Sequence, residues 1–318
     1  MIKSKHKCSC VKGYTLVNGT SCKHVDGGDP YLLIANQHYI KKFSLSKVQS
    51  YTIVIKGLRD AVSIDYDYKR GYFYWMDHLP GEIRRASLKG GNKTTAIITG
   101  GLPNPADLSI DWVGGNLYFS DHVHSAIYVS KQNGSYRKTL LQDRKSKPMY
   151  LACHPKDGWL YFSTVSSSLG KGATISKIGM DGFKKQLVFK GELGYPTGLT
   201  IDPVTDYIYW SDLFHKKIVY GKLDGSWKGM LRKAANIGEL FSMSLFEDQL
   251  FYADWTVQKN TLNSVYRFQP NSKPTILKNS TDKFYGVRVS MSRTFLLTDA
   301  FQILINQFCI QTIFFRRP

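Results

Sequence analysis

The chain has 318 residues, 42% hydrophobic and 14% aromatic, which is enough apolar surface for a large globular core and excludes a low-hydrophobicity disordered chain. Forty-three Lys and Arg against 24 Asp and Glu leave a formal net charge of +19. That balance suits an acidic partner surface or an anionic matrix, or reflects no more than a solvated basic surface. The basic residues are dispersed through the chain and not gathered on a recognisable nucleic-acid module, so nucleic acid is not expected as a partner.

Residues 1–29 hold three of the five cysteines, Cys8, Cys10 and Cys22, and the sequon Asn18-Gly19-Thr20. Met1 to Lys7 is polar and basic, with no apolar stretch of the kind a signal peptide carries. Three cysteines without a fourth ligand at metal-binding spacing argue against a zinc site.

From Tyr31 onward a short aromatic strand ending in an acid recurs. It reads Tyr74-Trp75-Met76-Asp77, Tyr118-Phe119-Ser120-Asp121, Tyr161-Phe162-Ser163-Thr164, Tyr209-Trp210-Ser211-Asp212 and Phe251-Tyr252-Ala253-Asp254, at spacings of 44, 43, 48 and 42 residues. Tyr31-Leu32-Leu33-Ile34-Ala35-Asn36 makes a sixth copy if Asn36 stands in for the acid. An inner strand precedes each of the later copies, with Asp65, Asp111 and Asp202 taken as equivalent positions in three of them. Two further short runs follow each aromatic strand, as in Ile83–Leu88 and Thr95–Ile98. Four strands per period of about 40–50 residues, punctuated by Gly, Asn and Asp, predict an all-β propeller of six blades. The first copy lacks an inner strand, and Phe284 to Val289 is the spare one that would close the ring, giving a domain over residues 30–290.

Cys153 falls on an inner strand and reads as a buried small hydrophobe. Asn92, Asn133 and Asn279 open three further sequons, all expected in turns or inter-strand loops where a glycan fits. Residues 291–318 match nothing in the repeat. Their apolar stretch contains Asp299, Gln302, Asn306, Gln307 and Gln311, so no membrane span is expected in it.

The aromatic strands resemble the YWTD repeats of the low-density lipoprotein receptor family, including the receptor-related proteins and megalin. The cysteine segment running into Pro30 resembles the end of an epidermal-growth-factor-like module. What the resemblance implies is a six-bladed YWTD propeller preceded by a partial module, with Cys10 paired to Cys22. It further implies a cell-surface endocytic or signalling receptor of the secretory and endosomal pathway, here as an ectodomain fragment. Protein ligands, or acidic ligand-binding repeats of the parent receptor, are the implied partners, and no cofactor is implied. The expected role is a protein-binding module, not an enzyme. A signalling co-receptor, a nidogen-like matrix propeller and a metal-dependent propeller hydrolase are the alternatives.

Asp77, Asp121, Asp212 and Asp254 are expected to be structural acids that accept backbone hydrogen bonds. His38, His78, His122, His124 and His215, five of the eight histidines, fall within three residues after the aromatic strand. Strand direction puts these turns on one face of the disc, where histidines could titrate together near pH 6 in acid-driven ligand release. Phe214, Phe241 and Trp255 are expected on the same rim as anchors for a partner.

Overall fold

The structure is a computed structural model. It describes residues 14–17, 21–24, 31–45, 50–89, 91, 93–165, 172–233, 239–246, 249–255, 260–266, 273–280 and 283–290. Two compact units are present. In the smaller, Tyr14–Val17 pairs antiparallel with Ser21–His24. Cys8, Cys10, Asn18 and Cys309 lie outside the described residues, and so does the expected Cys10–Cys22 bridge.

The larger unit, Pro30–Ser290, holds six four-stranded antiparallel sheets. Blade 2 shows the common order: inner strand Ala61–Asp67, second strand Tyr72–Asp77, third strand Glu82–Ser87 and outer strand Thr94–Thr99. Blades 3 to 6 repeat it, from inner strands Pro105–Asp111, Lys147–His154, Pro196–Asp202 and Glu239–Phe246. Blade 1 is a composite. Its inner strand, Gly286–Ser290, comes from the far end of the unit and pairs with Tyr31–Asn36. The inner strands contact one another around the ring, Gly286–Ser290 lying between those of blades 6 and 2. The six-bladed propeller is therefore closed.

Burial falls from the axis to the rim. Second strands are buried almost throughout, because a blade packs on each of their faces, whereas outer strands such as Tyr51–Lys56 are largely exposed. This is why the aromatic strands read as continuous apolar runs instead of alternating ones. Trp75 and Trp210 are fully buried, and each such side chain contributes roughly 1.5–3 kcal/mol. A bulge recurs between the third and outer strands of all six blades, as at Ile83/Arg84 and Ile218/Val219, and it adds the local twist a propeller blade needs.

The inner strands leave one edge facing the next blade, and side chains close it. Leu108 N–H donates to Ser63 Oγ at 3.3 Å and Ile110 N–H to Asp65 Oδ2 at 2.8 Å. Leu151 N–H donates to Asp107 Oδ2 at 2.8 Å, Cys153 N–H to Ser109 Oγ at 3.0 Å and Val287 N–H to Ser242 Oγ at 3.0 Å. At the bulge of blade 5, Gly198 has φ +54°, and a Cβ there would sit 2.4 Å from the Phe241 carbonyl oxygen, so only glycine fits.

Strand pairing corrects one sequence alignment. The residue equivalent to Asp111 and Asp202 is Asp67, not Asp65, because Asp67, Asp111 and Asp202 each stand opposite the first residue of the second strand. All three accept amides of the turn that follows. In blade 4 the position is His154, which is buried, with both ring nitrogens lacking a hydrogen bond and Nδ1 3.5 Å from Asp157. Asn279 is also corrected: it lies within the outer strand of blade 6, opposite Thr261, and not in a loop.

Burial holds the His154 imidazole below the usual histidine range, with Asp157 opposing. As pH falls through the ordinary range, the unfolded chain takes up a proton that the fold refuses, so stability drops. His154→Asn, which can accept the turn amides as Asp111 does, is expected to shrink the loss of unfolding free energy between pH 7.5 and 5.5. Urea titrations at the two pH values check this.

Candidate protein-binding face

Two kinds of loop share one face of the propeller. Connectors bring the chain from each outer strand to the next inner strand, and turns join second to third strands. The two are hydrogen-bonded: His78 N–H donates to Asp60 O, His122 N–H to Asn104 O and Leu213 N–H to Tyr195 O.

The repeat acids fasten these loops together. Asp77 accepts the amides of Asp60 at 2.7 Å and Arg59 at 3.2 Å. Asp121 accepts those of Asn104 at 2.9 Å and His124 at 2.8 Å. Asp212 accepts those of Gly194 at 2.9 Å, Tyr195 at 3.2 Å and His215 at 3.1 Å. Asn36 takes part in blade 1: its Oδ1 accepts from His38 N–H at 3.2 Å and its Nδ2 donates to Lys283 O at 3.2 Å. In blade 4 Thr164 Oγ1 accepts from Thr174 N–H at 3.2 Å instead. Asp254 is buried. Burial works to raise the Asp212 carboxyl, but its amide donors and His215 outweigh it and hold the group below the usual range.

The histidines ride on these turns. His215 Nδ1 lies 2.8 Å from Asp212 Oδ2 and His78 Nδ1 2.9 Å from Asp60 Oδ2. His124 Nδ1 is 3.4 Å from Asp121 Oδ1 and 3.2 Å from the Tyr128 hydroxyl. His122 rests against the Met149 sulfur, and burial, then Lys147, hold its imidazole below the usual range. His38 is exposed, its Nδ1 3.4 Å from Leu58 O.

The aromatic expectations divide. Phe214 is 53% exposed, and its ring meets His215 edge-on at 5.1 Å. Trp255 is corrected: it is buried, stacked on Phe241 at 3.7 Å, and its indole donates to Phe284 O at 2.8 Å. It fastens the seam between blade 6 and the closing strand, and Phe241 serves as its packing partner. Sequence reasoning missed Leu79 and Val123, exposed by 70% and 60%. Both stand two residues after a repeat acid, as does Phe214, so blades 2, 3 and 5 present an exposed apolar side chain at one turn position. An apolar residue in a loop that needs none was the available signal.

The axis is narrow. Its cavity, about 10 Å³, is lined by all six inner strands and their approaches, including Asp107 and Arg288. That is room for about one water molecule. Arg288 Nε lies 2.9 Å from Asp65 Oδ1. Burial pushes the Asp107 carboxyl up to about 6 against the hydrogen bonds from Ser63 and Leu151. Asp111 and Asp202 use their oxygens on turn groups, and among the described residues no group of three His, Cys, Asp or Glu is placed to hold a metal ion. Cys153 is a free buried thiol, raised well above its usual range by burial.

Fold and repeat together define a six-bladed YWTD-type propeller. Residues 158–203 match the low-density lipoprotein receptor repeat class B. The match runs from the second strand of blade 4, the blade whose acid is replaced by Thr164, through the inner strand of blade 5. The chain is 30% identical over 259 residues to human low-density lipoprotein receptor-related protein 5, covering 80% of this chain and 16% of that protein. It is 25% identical over 297 residues to the Drosophila melanogaster vitellogenin receptor Yl, covering 89% of this chain and 14% of that receptor. The chain thus spans less than a fifth of each relative's length, and carries the class B repeat as a homologue of both. A solved nidogen/laminin complex supplies a propeller of the same fold, with TM-score 0.74 and 21% identity over 83% of this chain and 99% of that one. A TolB protein of Agrobacterium tumefaciens has TM-score 0.64 at 13% identity, covering 83% of this chain and 98% of that one. Among the described residues no helix is long and apolar enough to cross a membrane.

Removing the Asp212 carboxylate with Asp212→Ala orphans three amides and is expected to cost about 2–4 kcal/mol of unfolding free energy. Chemical denaturation measures it.

Proposed function

We propose that this propeller is an extracellular protein-binding module of a low-density-lipoprotein-receptor-type protein, and that the loop face with the histidine turns receives the ligand. The observation that carries the reading is the recurrence of an exposed apolar side chain, Leu79, Val123 and Phe214, at one turn position in three blades. Exposed apolar groups ringed by polar ones on a rigid scaffold are the usual makings of a protein interface. The vitellogenin receptor among the relatives supports endocytic uptake; the low-density lipoprotein receptor-related protein and the nidogen/laminin structure keep signalling and matrix roles as the alternatives. The exposed Asn133 and Asn279 would carry glycans in that setting.

Acid release is the second part of this proposal and rests on the same turns. His78, His124 and His215 sit against carboxylates. Protonation adds positive charge to each turn and alters what the face offers to a bound ligand. Asp60, Asp121 and Asp212 are the acids facing them, and Lys147 is the cation beside His122.

Vitellogenin serves as the probe for the uptake reading and laminin for the matrix reading. The chain is expected to bind vitellogenin at pH 7.4 and release it at pH 5.5. Combined Leu79→Ser, Val123→Ser and Phe214→Ser changes are expected to weaken binding at least tenfold, about 1.4 kcal/mol, with the circular dichroism spectrum unchanged. Changing the five histidines to Gln is expected to keep binding at pH 7.4 and remove the acid release. Unchanged binding by the apolar variant overturns the assignment of the face, and laminin binding alone would favour the matrix role.

A further inference from the structure

A pocket of about 250 Å³ opens beside blade 5, between the connector at Glu192 and Leu193 and the third and outer strands, and no described residue fills it. It is bounded by Leu193, Val219 and Met230, with Trp210 in its wall and Lys217 and Lys228 beside it. Trp210 is fully buried, yet its indole N–H has no hydrogen-bond partner. A buried donor left unpaired costs stability, and an acceptor supplied from outside recovers it.

Comparison with blade 2 explains why the space exists. There the same position is Trp75, and its cross-strand neighbour on the third strand is Arg84. Arg84 reaches Glu82 at 2.7 Å and Thr94 at 3.2 Å, spanning the surface beside the ring. In blade 5 the neighbour of Trp210 is Val219, which in turn faces Met230. In blade 3 the position is Phe119, covered by Tyr128 stacked at 5.5 Å and by the Arg137 guanidinium at 5.3 Å. Blade 5 therefore has an unpaired indole donor, as blade 2 has, and lacks the long side chain that lies beside the ring in blades 2 and 3.

The charges select the ligand. Lys217 Nζ donates to Glu192 O at 3.2 Å and Lys228 Nζ to Gly191 O at 2.9 Å. Each ammonium has two more donors than these bonds use. The one acid at the mouth, Glu192, is 81% exposed and only 3.9 Å from Lys228, a weak exposed pair that an incoming anion readily displaces.

We propose that this pocket binds an acidic peptide segment, one Glu or Asp side chain entering with its methylenes against Leu193, Val219 and Met230 and its carboxylate between the Trp210 indole and the two lysines. This is a second protein-binding site, next to the blade 5 histidine turn but distinct in chemistry from the apolar side chains of that face.

Indole N–H resonances of the ¹⁵N-labelled full chain provide the test. The Trp210 resonance is identified by its loss in Trp210→Phe, a change the fold accommodates because Phe119 and Phe162 occupy the position in blades 3 and 4. Blocked tetraglutamate is expected to shift that resonance saturably and leave the Trp75 resonance in place, while blocked tetraglutamine does neither. Val219→Arg, which copies the blade 2 pairing and plugs the pocket, is expected to abolish the shift. Lys217→Glu with Lys228→Glu is expected to weaken the affinity at least tenfold, and Glu192→Gln to tighten it. No shift with tetraglutamate, or a shift that survives in folded Val219→Arg, overturns the proposal. So does a response to a sulfated heparin tetrasaccharide without one to tetraglutamate. Vitellogenin binding is read separately, so loss of one site's evidence leaves the other's intact.

Discussion

Everything in the larger unit depends on satisfying the backbone amides at the junctions between blades. A propeller blade is a small sheet with two edges, and the inner edge faces its neighbour without a ladder of backbone pairs. Leaving those amides bare inside the ring would cost more than the fold can spare. Two sets of side chains meet the need. Near the axis, Ser63, Asp65, Asp107, Ser109 and Ser242 accept amides from the following blade. At the loop face, Asp77, Asp121 and Asp212 gather the connector and, in two blades, the histidine turn onto one carboxylate. Because these bonds hold the turns in place, residues two positions beyond each acid are presented in the same way from blade to blade.

That arrangement separates structure from recognition along only a few residues of chain. In blade 5, Asp212 is buried and spoken for, while Phe214 is exposed and His215 stands between the two. The carboxylate that fastens the loop is the same one that meets the histidine. Within blade 4, burial holds the His154 imidazole below the usual histidine range, so falling pH bears on that blade.

Blade count, strand order and closure were legible because they rest on local pattern: a strand buried on both faces has to be apolar along its length, and the spare strand at Phe284 to Val289 had one place to go. The position of the repeat acids was equally plain. What the pattern hid was register. Asp65 looked equivalent to Asp111, but the second strand pairs so that Asp67 holds that place, and Asp65 meets Arg288 from the opposite end of the chain. Trp255 looked like a rim anchor and proves to be the seal on the closing seam, because Phe284 and Tyr285 arrive beside it only once the ring shuts.

The sequence by itself determined the class of fold, the repeat that relates the chain to low-density lipoprotein receptor repeats, and the turns that carry the histidines. These follow from periodicity and from residue types whose burial or turn preference is intrinsic. The tertiary structure alone decided which side chains share a surface: that Leu79, Val123 and Phe214 are exposed equivalents, that Arg288 enters the axis, and that Val219 stands beside Trp210 where blade 2 has Arg84 beside Trp75. Each of these depends on contacts between residues far apart in the chain or on opposite strands, and a one-residue change of register moves a side chain to the other face of its sheet.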